Sequence, residues 1–305
     1  MDGSAAPLIS VICAVRDGER FIAEAITSAT AQTGVRLEVV VVDDGSTDRT
    51  PAILAEMAAR DPRISVITQA NRGVAAARNV AIGHGRGAYI AFMDADDVWL
   101  PEKLRRQLEL FIRDPDLALA FTGYAFTDES LRTVGVVLGA SLRRWLLLEG
   151  NGPALSSSGM VRRSALGDQL RFHEHLSTSA DLEFALRASR CGGVRTVRAP
   201  LVLYRTHGAQ MHANLAAVER DVKLIYDIVL SGDDPETVAD RRRGLANLHT
   251  RFAFLTAASR DLASAASHAR TVLALSPSRL VLLPAGAVWR RVVRRALCYL
   301  RLPRR

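Results

Sequence analysis

The sequence predicts an α/β protein: a mostly parallel sheet flanked by helices, followed by a C-terminal helical extension. Short β-branched runs alternate with segments of helical spacing over the first 111 residues, and from about residue 215 the chain reads as helices joined by short turns. Acidic clusters directly follow two of the β-branched runs. Because strands separated by helices pair in parallel through right-handed crossovers, we expect their carboxyl ends to share the sheet edge where ligands bind.

The elements of the first 111 residues follow from the spacing of apolar residues. Four apolar runs are too short for helices and suit buried strands, at residues 9–15, 37–42, 64–68 and 89–93. Helical spacing between and after them predicts helices that start near residues 21, 50, 74 and 101. For the second helix, Thr50 followed by Pro51 predicts a cap and a first-turn proline.

Size and composition exclude several classes of protein. The chain has 305 residues, 49% hydrophobic, and a net charge of +8, which favours anionic partners without naming one. Its cysteines are few, far apart and odd in number, so they build neither a disulfide framework nor a zinc site: Cys13, Cys191 and Cys298. We see no signal peptide and no apolar run of the ~18–20 residues that a membrane span requires. These features predict a cytoplasmic protein, soluble or peripheral on the membrane.

The acidic clusters are the first candidate site. Asp43 and Asp44 follow one predicted strand, and Asp94 and Asp96 follow another within the motif Asp-Ala-Asp. Carboxylates this close repel each other at a strand end, and a bound Mn²⁺ or Mg²⁺ removes that repulsion. A solvated turn is the alternative for the second motif taken alone. Two acidic strand ends that face one crevice favour a site for a cation and a diphosphate.

The same residues carry a family resemblance. SVICAVRDGERFIAEAITSATAQTGVRLEVVVVDDGSTDRT, and later NRGVAAARNVAIGHGRGAYIAFMDADDVWLPEKL, resemble the family 2 glycosyltransferases, which have the GT-A fold. The likeness is nearly unbroken over residues 10–111 and weaker to about 211. It implies a catalytic domain over residues 1–212, with a nucleotide-binding half over about 8–111 and an acceptor half over about 112–212. Residues 213–305 would form the helical C-terminal region.

The resemblance implies roles for the acidic residues. In the family, the residue matching Asp44 contacts the nucleobase, commonly uracil, and Asp43 would support it. Asp94 would reach the ribose, and Asp96 would ligate the divalent metal. The role of Asp97 stays unassigned.

Further residues of the nucleotide pocket come from the same resemblance. Arg78 and Asn79 match a segment that lines the pocket, although Arg78 could instead be a surface helix charge. The chain departs from the family where Ala-Val-Arg-Asp replaces Pro-x-Tyr-Asn after the first strand. Asp17 keeps a polar group at the base-binding edge, while Arg16 stands in place of an aromatic residue. This departure puts the identity of the nucleotide in question more than the fold.

The catalytic base is expected in the second half of the domain. The family supplies it from a Glu-Asp pair, but here Ala180 replaces the glutamate and Asp181 is kept. Asp181, in the first turn of a predicted helix, is the candidate base, and Glu183 is a weaker one. Asp181 could instead serve only as a charge at the helix start. His207 matches a family histidine near the metal, although it could be structural or face solvent.

The last residues carry a basic amphipathic pattern. Residues 279–305 contain no acids, and five arginines recur there at helical spacing: Arg290, Arg291, Arg294, Arg295 and Arg301. Apolar residues fill the opposite face. This predicts either a helix in an anionic membrane interface or a helix packed on the protein body.

Taken together, the expected activity is a metal-dependent glycosyltransferase of the hexosyltransferase type. It would move a sugar, with inversion, from a UDP-linked donor to a hydroxyl of a glycan or lipid-linked acceptor in bacterial cell-surface polysaccharide synthesis. We expect no nucleic-acid partner. The alternatives are a non-catalytic nucleotide-binding scaffold derived from a transferase and a nucleotidyltransferase, although the latter's basic glycine-rich loop is missing.

Overall fold

The computed structural model describes residues 6–139, 142, 146, 155–176, 178–207, 215–258 and 260–276. They fall into two compact units. The first lies within Met1–Leu142 and Gly152–Arg205, and the second within Arg143–Asn151 and Thr206–Arg305. The basic tail predicted over residues 279–305 lies outside the described residues.

The first unit contains a nine-stranded mixed sheet among its described residues. Its strands are β1 (Leu8–Val15), β2 (Arg36–Asp43), β3 (Ile64–Thr68), β4 (Tyr89–Asp94), β5 (Val98–Trp99), β6 (Leu117–Thr127), β7 (Thr133–Val137), β8 (Met160–Arg162) and β9 (Gly193–Arg205). Its helices are α1 (Ile22–Thr30), α2 (Thr50–Arg60), α3 (Val74–His84), α4 (Lys103–Arg113), α5 (Leu155–Ser158), α6 (Arg163–Leu166) and α7 (Ala180–Ala188). The strand order is β3-β2-β1-β4-β8-β6-β9-β5, with β7 beside β6.

The parallel half of the sheet sets up the site. Strand β1 lies between β2 and β4 and is parallel to both. Val15 pairs with Asp43, and Ala14 pairs with Asp94, so the acidic ends of β2 and β4 reach the same sheet edge. Strand β8 then pairs antiparallel with β4, which ends the parallel series.

The predicted elements of the first 111 residues are all present, but the predicted cap at Thr50 is wrong. The cap position is Arg49, and Thr50 is the first residue of α2. The Thr50 N–H donates to Asp48 Oδ1 at 2.9 Å, while Thr50 Oγ1 accepts from the Gly18 N–H at 2.8 Å. The Thr50 hydroxyl therefore ties the loop after β1 to α2 instead of capping its own helix.

An aromatic cluster holds α7 against the sheet. Phe92 of β4 packs edge-on against Phe172 and Phe184, whose rings stack at 4.5 Å between centroids. All three side chains are almost fully buried. Burying an aromatic side chain contributes about 1.5–3 kcal/mol, so this cluster fixes the start of α7 close to the end of β4.

The second unit is helical in its described part. It contains α8 (Leu215–Val229), α9 (Pro235–Ala258) and α10 (Leu262–Leu275), in agreement with the helices predicted from about residue 215. The Tyr226 hydroxyl donates to the Leu146 carbonyl at 2.6 Å. Gly244 packs against the Tyr226 ring so closely that a Cβ on Gly244 would lie 2.5 Å from the Tyr226 hydroxyl oxygen. None of the described helices combines the length and apolar character needed to cross a bilayer.

Candidate active site

The carboxyl end of β4 carries three aspartates in one turn. Asp94 ends the strand, and the Asp97 N–H donates to the Asp94 carbonyl at 3.3 Å. One carboxylate oxygen from each of Asp94, Asp96 and Asp97 lies within 4.8 Å of the other two. Burial, reinforced by the charges of Asp96 and Asp94, raises the pKa of Asp97 well above its usual range. The charged form of Asp97 is therefore disfavoured both by its burial and by the two neighbouring carboxylates.

Arg78 of α3 is a cationic partner of this cluster. Its Nη2 donates to Asp94 Oδ1 at 2.7 Å, and its guanidinium lies 5.3 Å from the centre of the Phe172 ring. The residue is only 6% exposed, so the alternative of a surface helix charge is wrong. Ser157 Oγ also accepts from the Asp94 N–H, at 3.1 Å. These contacts fix the orientation of Asp94.

Arg205, at the end of β9, anchors the other side of the turn. Its N–H donates to Asp97 Oδ1 at 3.0 Å, its Nε donates to the Asp96 carbonyl at 2.8 Å, and its Nη2 pairs with Glu24. No sequence motif predicted a role for this buried arginine. Arg205 lies 108 residues after Asp97, and no local pattern links the two.

The oxygen donors of the turn fit a hard divalent cation. Asp97 Oδ2 is buried and accepts no hydrogen bond within the described part of the chain. An unpaired buried oxygen is costly, and a cation held by several carboxylates removes that cost. Mn²⁺ and Mg²⁺ favour such oxygen ligands. The predicted metal residue Asp96 thus belongs to a group that also includes Asp94 and Asp97.

The acids at the end of β2 are arranged differently. Asp44 Oδ1 accepts from Gln69 Nε2 at 2.8 Å and from the Arg72 N–H at 2.9 Å, while its Oδ2 accepts from the Gly73 N–H at 2.8 Å. Asp44 is 3% exposed. Its main role in the structure is to hold the loop between β3 and α3.

Asp43 keeps an unused oxygen beside this loop. Its Oδ1 accepts from the Ser46 N–H at 3.0 Å, whereas Oδ2 is buried with no partner among the described residues. Gly45 adopts φ +75, and a Cβ there would lie 2.9 Å from the Asn71 backbone nitrogen. The glycine therefore allows the two backbones to approach closely.

Asp17 and Asn79 both hold loops around the crevice. Asp17 adopts φ 50, and its Oδ1 accepts from the Thr47 N–H at 2.8 Å. The Asn79 amide donates to the Phe172 carbonyl at 2.9 Å and accepts from the Phe172 N–H at 2.7 Å. A third contact joins Asn79 to Glu174 at 3.1 Å. The amide of Asn79 is thus engaged by the segment that precedes α7.

Asp181 lies in the first turn of α7, close enough to Arg78 and Asp94 for their charges to shift its pKa. Burial raises its pKa to about 6, with the nearby Arg78 lowering it and Asp94 raising it. Its Oδ1 accepts from the Leu182 N–H at 2.9 Å. A carboxylate with this pKa is ionised near neutral pH and can accept a proton.

The second candidate base, Glu183, is excluded. The residue is 2% exposed, and its two oxygens accept from Nε and Nη2 of Arg187, both at 2.9 Å. A buried carboxylate in a two-point ion pair is committed to its partner. His207 lies two residues after the end of β9 and falls in the second compact unit, so its predicted role at the metal stays a prediction.

Comparison with known proteins gives a family match. The model described as "Glycosyl transferase family 2" matches residues 10–169. The succinoglycan biosynthesis protein ExoO of Rhizobium meliloti is 35% identical over 206 residues, which cover 61% of this chain and 57% of ExoO. The chain spans 68% and 47% of two further curated relatives, at 32% and 40% identity.

Solved structures show the same fold. The chain matches S. aureus TarS 1-349 in complex with UDP-GlcNAc with a TM-score of 0.67 and 19% identity, covering 96% of this chain and 89% of that one. It matches the mannosyltransferase PcManGT from Pyrobaculum calidifontis, in complex with GDP-Man and Mn²⁺, with a TM-score of 0.62 and 18% identity, covering 97% and 81%. These likenesses confirm the predicted α/β class and GT-A fold.

Proposed function

Because the chain belongs to glycosyl transferase family 2, we propose that it moves a sugar from a UDP-linked donor to a hydroxyl of a glycan or lipid-linked acceptor in bacterial cell-surface polysaccharide synthesis. Family membership makes it a glycosyltransferase; the donor, the acceptor and inversion are the proposed parts. The complex of TarS with UDP-GlcNAc supports the donor class, and the succinoglycan role in the name of ExoO supports the acceptor class. The observation that carries the proposal is the carboxylate cluster of the β4 turn with Asp181 beside it.

The donor nucleotide would lie across the ends of β2 and β4. Asp43 Oδ2 is the available acceptor for a nucleobase N–H or ribose hydroxyl. A carboxylate has about four acceptor sites, so the three contacts of Asp44 leave one for the base. Asp17 and Asn79 support the pocket by holding its loops, and Asp94, fixed by Arg78, faces the ribose.

Asp94, Asp96 and Asp97 would hold the divalent cation, Mn²⁺ or Mg²⁺, with His207 as a further proposed ligand. When bound, the cation stabilises the negative charge of the departing nucleoside diphosphate as a Lewis acid. The Mn²⁺ in the PcManGT complex supports this choice of ion. Arg205 contributes by fixing the backbone of the turn on which these carboxylates stand.

Asp181 would act as the catalytic base. The acceptor oxygen attacks the anomeric carbon while the bond from that carbon to the diphosphate oxygen breaks, and its electron pair leaves with the diphosphate. Asp181 accepts the proton of the acceptor hydroxyl. Attack from the face opposite the leaving group inverts the anomeric configuration in one step.

Thermal shifts with nucleoside diphosphates and nucleotide sugars, with and without Mn²⁺, test the donor site. We expect Mn²⁺-dependent stabilisation by uridine nucleotides, because a ligand at 100 times its Kd stabilises by about 2.7 kcal/mol. Asp96→Ala should abolish it, whereas Asp168→Asn, an exposed acid, should not. No response to any nucleotide would exclude the donor site. Binding without release of UDP from UDP-sugars in the presence of glycan acceptors would favour the scaffold alternative.

A further inference from the structure

A second group of candidate metal ligands lies in the helical unit, and the proposed glycosyl transfer does not use it. Glu219 lies on α8, His249 on α9 and His268 on α10. One ligand atom from each side chain lies within 4.8 Å of the other two. Three separate helices therefore bring two imidazoles and a carboxylate to one point.

The two histidines face each other through the same ring atom. His249 Nδ1 and His268 Nδ1 are 2.9 Å apart. The two Nδ1 atoms cannot both carry a proton at that distance, so at least one of them directs a lone pair at the other. Nitrogen ligands about 2.0–2.1 Å from a tetrahedral Zn²⁺ lie about 3.3 Å apart, so a small rotation of either ring makes room for the ion.

The two histidines are partly shielded from solvent. His249 is 6% exposed and His268 is half-buried beside Phe252, whose ring centroid is 5.5 Å from that of His268.

Glu219 supplies the negative charge of the group. Its Oε1 accepts from Lys223 Nζ at 2.6 Å on the same helix, and no hydrogen bond within the described part of the chain uses Oε2. Lys223 is 47% exposed at its side chain, so its ammonium can turn to solvent when Glu219 binds a cation.

We propose that Glu219, His249 and His268 bind a divalent cation of the zinc class, which joins α8, α9 and α10. Two nitrogens and one oxygen suit Zn²⁺ or a neighbouring transition metal, whereas the all-oxygen group of the β4 turn suits Mn²⁺ or Mg²⁺. Water completes the coordination. Since the ligands come from three helices, binding contributes directly to the folding of the helical unit.

Zinc titration of the full-length chain tests the site. The parent protein carries Asp96→Asn, which weakens metal binding at the β4 turn, and Zn²⁺ alone is the probe in calorimetry and thermal shift. We expect one zinc-dependent rise in Tm in this parent. His268→Gln should weaken zinc binding at least about 100-fold, because it removes a direct ligand rather than a supporting group. The matched control is His84→Gln, since His84 is an exposed histidine on α3.

Two results would overturn the proposal. One is the absence of zinc binding by the parent protein, and the other is equal zinc affinity in the parent and in His268→Gln. Glu219→Gln is the second variant, since it removes the charge at nearly constant size and leaves both histidines in place. It should weaken zinc binding at least about tenfold while the circular dichroism without metal stays unchanged. Unchanged affinity in Glu219→Gln would remove the carboxylate from the site and contradict the proposed ligand set.

Discussion

The acids that end β2 and those that end β4 stand at one edge of the same sheet but have opposite surroundings. Asp44 accepts three hydrogen bonds from the loop before α3. At β4, three carboxylates lie close together, and the buried Oδ2 of Asp97 has no partner in the described structure. Burial and the neighbouring carboxylates raise the pKa of Asp97. Asp44 therefore mainly stabilises the loop before α3, whereas the β4 turn keeps a carboxylate oxygen that a ligand could use.

The comparison shows that an acidic motif is identified as a binding site by carboxylate oxygens that have no hydrogen-bond partner in the protein. Aspartates at a strand end have the same composition whether backbone N–H groups or a cation satisfy them. The β2 end is mixed in this respect, because Asp43 Oδ2 also lacks a partner among the described residues. Substitutions at the two ends should therefore separate activity from stability.

The largest expected effect is at Asp96. Asp96→Asn should lower the rate of Mn²⁺-dependent sugar transfer about 1,000-fold, or about 4 kcal/mol, because a carboxylate ligand of the cation is lost. The free energy of unfolding without metal should stay the same or rise, since repulsion with Asp94 and Asp97 falls. Enzyme assays and urea unfolding measure the two quantities, with Asp168→Asn as the control. A matching loss of stability would make Asp96 a structural residue.

The next effect tests Asp181. With a pKa of about 6, its carboxyl is protonated below that pH and cannot accept a proton, so kcat/KM should fall about tenfold per pH unit below about pH 6. Asp181→Asn should lower kcat by about 100- to 1,000-fold. It should also remove the acid limb of the pH profile, which is the fall in kcat/KM below about pH 6.

Substitutions at the two sheet ends should have different effects on the acid limb of the pH profile of kcat/KM. Asp94 raises the pKa of Asp181, so Asp94→Asn should move the limb to lower pH, whereas Asp44→Asn should leave it in place, since Asp44 is not among the groups that shift this pKa. The pH dependence of kcat/KM measures both shifts. A limb that persists in Asp181→Asn would assign the base to another residue.

The sequence was sufficient for the parallel half of the fold. Each predicted strand and helix before residue 111 is present, because β-branched runs and helical spacing act locally and the crossover rule sets their direction. The resemblance to the family supplied the GT-A fold. The cap at Thr50 was mispredicted because its hydroxyl is recruited by Gly18, 32 residues earlier.

The rest of the site depended on contacts that no spacing encodes. Arg205 reaches Asp97 across 108 residues, and the two oxygens of Glu183 are taken by Arg187 only once α7 has formed. The family resemblance implied that Asp44 contacts the nucleobase, but no pattern in the sequence predicts that the backbone N–H groups of Arg72 and Gly73 donate to its carboxylate. Whether a buried polar group has a hydrogen-bond partner depends on tertiary contacts, which the spacing of residues in the sequence does not show.

A smaller effect is expected at the β2 end, and it concerns stability. Asp44→Asn replaces an oxygen with an amide nitrogen opposite donors such as the Gly73 N–H, so we expect a loss of about 2–4 kcal/mol in the free energy of unfolding. Asp43→Asn is the matched control and should cost less than about 1 kcal/mol, because Ser46 can still donate to the remaining oxygen. Urea unfolding compares them. Equal losses at both positions would contradict the assignment of the loop-holding role to Asp44.

The smallest effect is expected at Asp17, which joins two loops at the exposed rim of the same edge. Asp17→Ala removes the acceptor of the Thr47 N–H and places alanine at φ 50, so stability should fall by about 1 kcal/mol. Asp17→Asn keeps an acceptor oxygen and tolerates this backbone conformation, so it should stay within about 0.5 kcal/mol of the parent. Urea unfolding resolves the two. If Asn costs as much as Ala, the negative charge of Asp17 stabilises the loops, and the rim then differs from the β4 end, where removing a charge should not lower stability.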